Sequence, residues 1–173
     1  MEDIKGDSQA LLLLLKSFSA KEYKKIKFQE RKSSPLLTSE IEVNGEMLFQ
    51  HPGYLLKLVY YPHQERFELK KGIVTIQRDD AEARTLSLKD YPELNAFVTA
   101  YTAVLDGDIE RLRVFYSLVF DSREYGWRLS LHPRLEAMRE HVVKIVFTGD
   151  ATNIRSIQVF ESGGDVSTTS FLE

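Results

Sequence analysis

Four histidines, two acidic turns and one basic segment are the places where this chain of 173 residues can do chemistry. His51, His63, His132 and His141 are scattered, and no two stand at metal-ligand spacing. Asp106-Gly107-Asp108 looks like part of a calcium loop but lacks the rest of the ligand pattern. Its plainer reading is a helix stop followed by a helix cap. Asp79-Asp80 can be drawn as a general acid and base, yet the pair falls in a turn, where backbone geometry alone favours aspartate. There is no nucleophile elbow, phosphate loop or dinucleotide fingerprint. Cysteine is absent, which removes disulfides, thiolate metal sites and cysteine nucleophiles together. The residues therefore predict a protein that is not an enzyme and uses no cofactor and no metal.

The basic segment contains Lys21, Lys24, Lys25, Lys27, Arg31 and Lys32. It reads either as a solvated strand face, with lysines guarding an edge strand, or as a patch for anionic lipid head groups or an acidic partner. The net charge of −3 gives no general attraction to nucleic acid. Hydrophobic residues at 43% and charged residues at 28% are ordinary for a globular domain. The length predicts a single domain over residues 1–173. No run reaches the ~20 apolar residues that cross a bilayer. The run Leu11–Leu15 is not an export signal, because Glu2, Asp3 and Asp7 precede it and Lys16 ends it.

Hydrophobic periodicity predicts the elements that carry these residues. Residues 8–18 read as a helix capped by Ser8, with Leu11, Leu14, Leu15 and Phe18 in a stripe. Leu12 and Leu13 make it apolar on more than one side, as in a helix sandwiched between layers. Strands follow over 22–32 and 38–50. In the first, Ile26 and Phe28 oppose Lys25, Lys27, Gln29 and Arg31; in the second, Ile41, Val43, Met47 and Phe49 oppose Glu40, Glu42, Asn44 and Glu46. His51-Pro52-Gly53 turns into a strand over 54–61 that is apolar on both faces. Short strands follow near 65–70, 73–78 and 84–88.

Asp90 and Glu93 then suggest a capping box, with Pro92 in the first turn of a helix bearing Leu94, Phe97, Val98, Tyr101, Val104 and Leu105. Asp108 caps a second helix with Ile109, Leu112 and Tyr116 on one side. Strands return to the C-terminus, interrupted by a helical turn or two at 134–140. About ten strands joined by short turns make a mainly antiparallel sheet, and so many sequential strands curl. The predicted class is α+β: a curved, mainly antiparallel sheet, an incomplete barrel, with helices as a lid over its concave face.

The segment Phe28–Pro62 resembles the LolA-like outer-membrane lipoprotein carrier family. The resemblance is carried by Gln29, by Gly45, Met47 and Phe49 on the next strand, by Pro52 and Pro62, and by Gly72 after the following hairpin. Leu86-Ser87-Leu88-Lys89-Asp90-Tyr91-Pro92-Glu93-Leu94, and Gly126-Trp127-Arg128-Leu129 ahead of Pro133, resemble a shorter branch of that family. Two positions depart from the pattern. His51 stands where the family's carrier has an Arg that contacts the loop closing the cavity, and Lys57 stands where a Trp is expected.

The resemblance implies a periplasmic carrier, its signal already removed. Such a carrier binds the acyl chains of a lipoprotein or related lipid and shuttles it from inner to outer membrane. It implies an inner-membrane ABC transporter or exporter as donor, an outer-membrane acceptor, and a monomer. On that reading the lipid-binding residues of the sheet are Ile41, Val43, Met47, Phe49, Leu56, Leu58, Trp127 and Leu129, and those of the lid are Leu11, Leu14, Leu15, Leu94, Phe97, Val98 and Tyr101. His51, Lys25, Lys27 and Arg31 are then lid or partner contacts. The same stripes are also what a filled core would show. The alternative within this fold is a lipid- or lipoprotein-sensing regulatory domain.

A buried methylene is worth about 0.8 kcal/mol, so an acyl chain of about 15 methylenes is worth roughly 12 kcal/mol gross. A rigid preformed site that captured all of this would release cargo too slowly for a shuttle. The expectation is a lid collapsed onto the sheet and displaced by lipid.

Overall fold

A computed structural model describes residues 4–21 and 23–172. In chain order its elements are β1 (Ile4–Gly6), α1 (Ser8–Ser19), β2 (Tyr23–Ser33), β3 (Ile41–Gln50), β4 (Tyr54–Tyr61), β5 (Glu65–Lys70), β6 (Ile73–Arg78), β7 (Arg84–Ser87), a 3-10 turn (Leu88–Asp90), α2 (Pro92–Asp106), α3 (Ile109–Phe115), β8 (Tyr116–Arg123), β9 (Gly126–Pro133), α4 (Glu136–Arg139), β10 (Val142–Asp150), β11 (Asn153–Glu161) and β12 (Val166–Leu172).

The strands form one open, curved, 12-stranded sheet in the order β1-β8-β9-β10-β11-β12-β2-β3-β4-β5-β6-β7. Two meanders, β2 to β7 and β8 to β12, meet where β12 pairs antiparallel with β2. The α+β class with a curved, mainly antiparallel sheet is the architecture the sequence predicted. The short β1, which carries no periodic signal, pairs parallel with β8 and was not foreseen. Nor is β2 an edge strand: it lies between β12 and β3, so its lysines do not guard an exposed edge.

The helices lie on the inner face and divide its apolar surface into two clusters. Leu11, Leu14, Leu15 and Phe18 of α1 pack with Leu118, Phe120, Trp127, Leu129 and Phe147 of β8–β10. The cap of α1 is Asp7 rather than Ser8, its carboxylate accepting from the Ala10 amide at 3.0 Å. Leu12 and Leu13 are 43% and 67% exposed, so α1 is covered on one side only and is not the sandwiched helix expected. The C-terminal end of α1 meets the α2–α3 corner at Gly107.

α2 belongs to both clusters. Ala96, Ala100, Ala103 and Val104 join the α1 cluster. Val98 joins Phe49, Leu55, Leu69, Val74 and Leu88 over β3–β6. Small residues on the first side let α2 approach closely; Phe97 packs against that same cluster, Leu94 against the second, and Tyr101 and Leu105 against both. The expected capping box is not formed: Asp90 closes the 3-10 turn, Tyr91 precedes the helix without a side-chain cap, and Pro92 opens it. Here the fixed φ of proline starts the helix, which needs no donor at that position.

Asp106-Gly107-Asp108 is the helix stop and cap that its sequence suggests. Gly107 is left-handed (φ 69°), and Asp108 accepts from the Arg111 amide at 3.1 Å. α3 ends before Tyr116, which opens β8; its buried hydroxyl donates to the Ala96 carbonyl of α2 at 2.5 Å.

Gly107 is also a contact point. A Cβ there would lie 2.3 Å from the Leu15 carbonyl oxygen of α1. Gly107→Ala should therefore combine the cost of a left-handed alanine with a forced shift of α1, together about 2–3 kcal/mol. For a domain of this size that lowers Tm by roughly 4–12 °C. An unchanged melting curve by circular dichroism would show that the corner yields freely.

Candidate functional site

Between the two clusters the packing is incomplete. A hollow of about 250 Å³ opens under α2, walled by Leu94, Phe97, Val98 and Tyr101 of the helix, by Met47, Leu55 and Phe67 of β3–β5, and by Val142 and Val159 of β10–β11. A narrower cleft shares Met47, Leu55 and Tyr101 and continues along Ile26, Phe49, Leu105, Ile157 and Phe171. Phe97 and Tyr101 stack obliquely at 5.4 Å between ring centroids, and Tyr101 meets Phe147 edge-on at 6.0 Å. The cleft is almost wholly hydrocarbon, while Glu30, Lys57, Glu65, Glu161, Ser167 and Thr169 bring polar groups to the hollow from β2, β4, β5, β11 and β12.

Three of these polar groups, Glu30, Lys57 and Thr169, are linked to one another. One Glu30 oxygen accepts from the Lys57 ammonium at 3.1 Å and from the Thr169 hydroxyl at 3.0 Å. Lys57 also stands 5.2 Å over the Phe28 ring, a favourable cation–π distance. Burial first, and then the Glu30 carboxylate, push the Tyr101 phenol well above its ordinary pKa. That phenol stays neutral and able to donate at any physiological pH.

A clasp closes one end. His51 Nδ1 lies 2.7 Å from Asp106 of α2, and Nε2 lies 3.2 Å from the Phe18 carbonyl of α1. The Gly53 amide donates to the same Asp106 oxygen at 3.2 Å, and Arg111 reaches the other oxygen at 3.2 Å. The hairpin tip between β3 and β4 is thus fastened to the C-terminal ends of both lid helices. Among the described residues no group of three or more His, Asp or Glu side chains is placed to hold a metal.

Of the residues singled out by the sequence, Met47, Phe49, Leu94, Phe97, Val98 and Tyr101 line the hollow or the cleft. Leu11, Leu14, Leu15, Trp127 and Leu129 are buried in the α1 cluster and wall neither. Val43 and Ile41 share the inward parity of Met47, but Ile41 is 45% exposed at the strand's end and neither reaches the hollow.

Leu56 and Leu58 are corrected outright. The hairpin sets Phe49 opposite Leu55 and Leu48 opposite Leu56, so Leu55, Lys57 and Val59 point inward while Leu56 and Leu58 point to the convex face. A strand apolar on both faces does not declare its parity. The fixed partner Phe49 and the hairpin length were the signals that would have settled it.

Lys25, Lys27 and Arg31 lie on the convex face, opposite the lid, which they do not touch. There Lys25 pairs with Glu46 and Arg31 approaches Glu42. Ile26, Leu105, Ile157 and Phe171 line the cleft and were not anticipated.

A concave, partly apolar hollow under a helix on an open curved sheet is the kind of site in which small molecules bind. Over residues 7–172 the chain matches the family described as outer membrane lipoprotein carrier protein LolA-like, and it belongs to that family. Its structure is similar to a LolA superfamily protein from Nitrosomonas europaea, at 11% identity, 96% coverage of this chain, 91% of that chain and a TM-score of 0.48. It is also similar to a DUF1329 family protein from Desulfovibrio piger (9% identity, 95% and 89% coverage, TM-score 0.49). A third similar structure is LprF from Mycobacterium bovis (11% identity, 96% and 93% coverage, TM-score 0.39). No curated protein matches the chain by sequence.

His51→Ala removes two contacts to a carboxylate and a helix-terminal carbonyl. Hydrogen bonds to charged groups contribute about 1.5–3 kcal/mol, so local opening should rise at least roughly tenfold. Hydrogen exchange should speed up at the C-terminal turns of α1 and α2 and stay slow in β8–β10. Uniform acceleration, or none, would show that the clasp does not hold the lid.

Proposed function

We propose that this chain is a periplasmic carrier that takes the acyl chains of a lipoprotein, or of a related lipid, between α2 and the inner face of the sheet. On this reading it receives cargo from an inner-membrane exporter and passes it, as a monomer, to an outer-membrane acceptor. The observation that carries the reading is the hollow itself: α2 is tightly seated on its alanine side and poorly filled on its Leu94-Phe97-Tyr101 side.

The size of the hollow bears on the mechanism. An apolar cavity of about 150 Å³ holds one benzene, so about 250 Å³ accepts only a short hydrocarbon segment. A full acyl chain requires α2 to move off Met47 and Leu55. The free energy of burying the chain then offsets the cost of separating lid from sheet, which keeps net affinity low enough for release. The His51–Asp106 clasp lies where such a movement would be felt.

The test is native mass spectrometry of protein produced in a periplasm, with extraction and identification of any adduct. A lipid adduct is expected, and it should disappear in Phe97→Asp and Leu94→Asp, which place a charge in the hollow while leaving the β-rich circular dichroism intact. Purified protein that never carries or takes up hydrocarbon would refute the carrier.

A further inference from the structure

β2 leads from the clasp to the far end of the hollow and then out of the sheet. Tyr23 pairs with Gln50, next to His51; Ile26 lines the cleft and Glu30 the hollow. Lys32 is flanked by Ile41 and by Ser167, another residue of the hollow. Glu65 and Glu161 line the hollow as well and are 39% and 37% exposed, so it meets solvent on their side. One step beyond Lys32 the β2–β3 hairpin turns through residues 34–40.

At the tip of that hairpin Leu36 is 93% exposed and Leu37 42%, and Ile41 is 45% exposed where β3 begins. A scattered surface leucine needs no explanation. Here two adjacent leucines project together, and from Ser33 to Ser39 no residue carries a charge. The tip is also held in shape. The Leu37 amide donates to the Ser34 carbonyl at 3.1 Å and the Leu36 amide to the Ser34 hydroxyl at 3.3 Å. Pro35 lies against the β11–β12 turn, where a Cβ on Gly164 would stand 3.0 Å from its ring. Behind it Lys32 faces Glu161 and Asp165 at 3.8 and 3.6 Å. Tyr60 and Tyr61, 52% and 59% exposed, finish β4 at the same end of the sheet. Leucines foremost, with neutral residues beside them and tyrosines set back, match the order of a membrane interface, where apolar side chains enter and aromatic hydroxyls stay wet.

We propose that the Leu36-Leu37 tip dips into the surface of a zwitterionic phospholipid bilayer and brings the solvent-facing end of the hollow against it. An anionic surface is disfavoured, because Glu40, Glu42, Glu161 and Asp165 outnumber Arg31 and Lys32 around the tip. With only two leucines entering, the contact is weak and brief. It goes beyond the carrier reading and does not need it, since the tip is exposed whatever the hollow holds.

The test places an indole at the tip with Leu36→Trp. The native Trp127, 7% exposed in the α1 cluster, is the control in the unchanged chain. Vesicles of phosphatidylcholine brominated in its acyl chains quench an indole that enters lipid. The variant should be quenched with its emission shifted to the blue, and the unchanged chain should show neither effect. Adding Leu37→Asp should weaken partition at least about tenfold, the effect of losing one buried leucine. Raising the salt should leave partition unchanged. The unchanged chain should also elute later than L36D/L37D from immobilised phosphatidylcholine vesicles, which shows that the indole does not create the contact.

No quenching of the variant, quenching that survives Leu37→Asp, or co-elution of the unchanged chain with L36D/L37D overturns the proposal. So does partition that requires phosphatidylglycerol and vanishes in salt. A tip that stays in water on a chain that takes up hydrocarbon leaves the carrier reading standing and this one refuted. A tip that enters lipid on a chain that never takes up hydrocarbon does the reverse.

Discussion

A helix of 15 residues, about 22 Å long, has to cover the middle of a 12-stranded curved sheet. One helix cannot fill that width with uniform packing, and α2 resolves the mismatch by being different on its two sides. Ala96, Ala100 and Ala103 bring its backbone close to α1 and the β8–β10 wall, where the core is dense. On the other side Leu94 and Val98 face the β3–β6 cluster, while Phe97 and Tyr101, which also touch the dense cluster, line space that stays open. The dense side sets the position of the helix. The hollow is what remains when that position has been taken and the sheet curves away.

Polar contacts follow the same division. They are sparse within the dense cluster, where the Tyr116 hydroxyl reaching the Ala96 carbonyl ties β8 to α2. They gather at the ends and the wall of the hollow. His51, Asp106, Gly53 and Arg111 join the hairpin tip to the helix ends, and Glu30 of β2 links to Thr169 of the adjacent β12 and, across β3, to Lys57 of β4. In the poorly filled region these directional contacts, and not jigsaw packing, specify geometry.

Much of the architecture was legible because period and turn chemistry agree over long stretches. β4, β5 and β6 have the predicted bounds, and Gly107 and Asp108 stop and start helices as their types demand. The misses have distinct causes. Asp7 outcompeted Ser8 because either can cap and the helix began one residue away from the choice. β1 is too short for a period and is held by its parallel pairing with β8.

The site was half legible. Helix stripes name the inward side of α2 correctly, so Phe97 and Tyr101 were found. Strand parity in Tyr54–Tyr61 is ambiguous because leucines occupy both faces, which sent Leu56 and Leu58 inward and hid Lys57. The long-range packing that separates hollow-lining residues from Leu11 and Trp127 leaves no trace in periodicity, since both kinds are simply apolar.

The asymmetry of α2 also bears on how a lid on this sheet would move. Lifting it bodily would expose the alanine side together with Leu118, Leu129 and the α1 stripe, a loss of dense packing on every turn of the helix. Tilting it about that side exposes chiefly Leu94, Phe97, Val98 and Tyr101, whose burial is already partial or borders the hollow. Free energy per unit of apolar area is similar on the two sides, so the smaller newly exposed area decides, and tilting is the cheaper motion. Such a tilt would carry the C-terminal end of the helix least if that end were pinned, and Asp106 is where the hairpin and α3 fasten it. On the proposed carrier reading, a helix anchored at one end and along one side, next to unfilled space, would open like a flap whose free margin is the row of large residues lining the hollow.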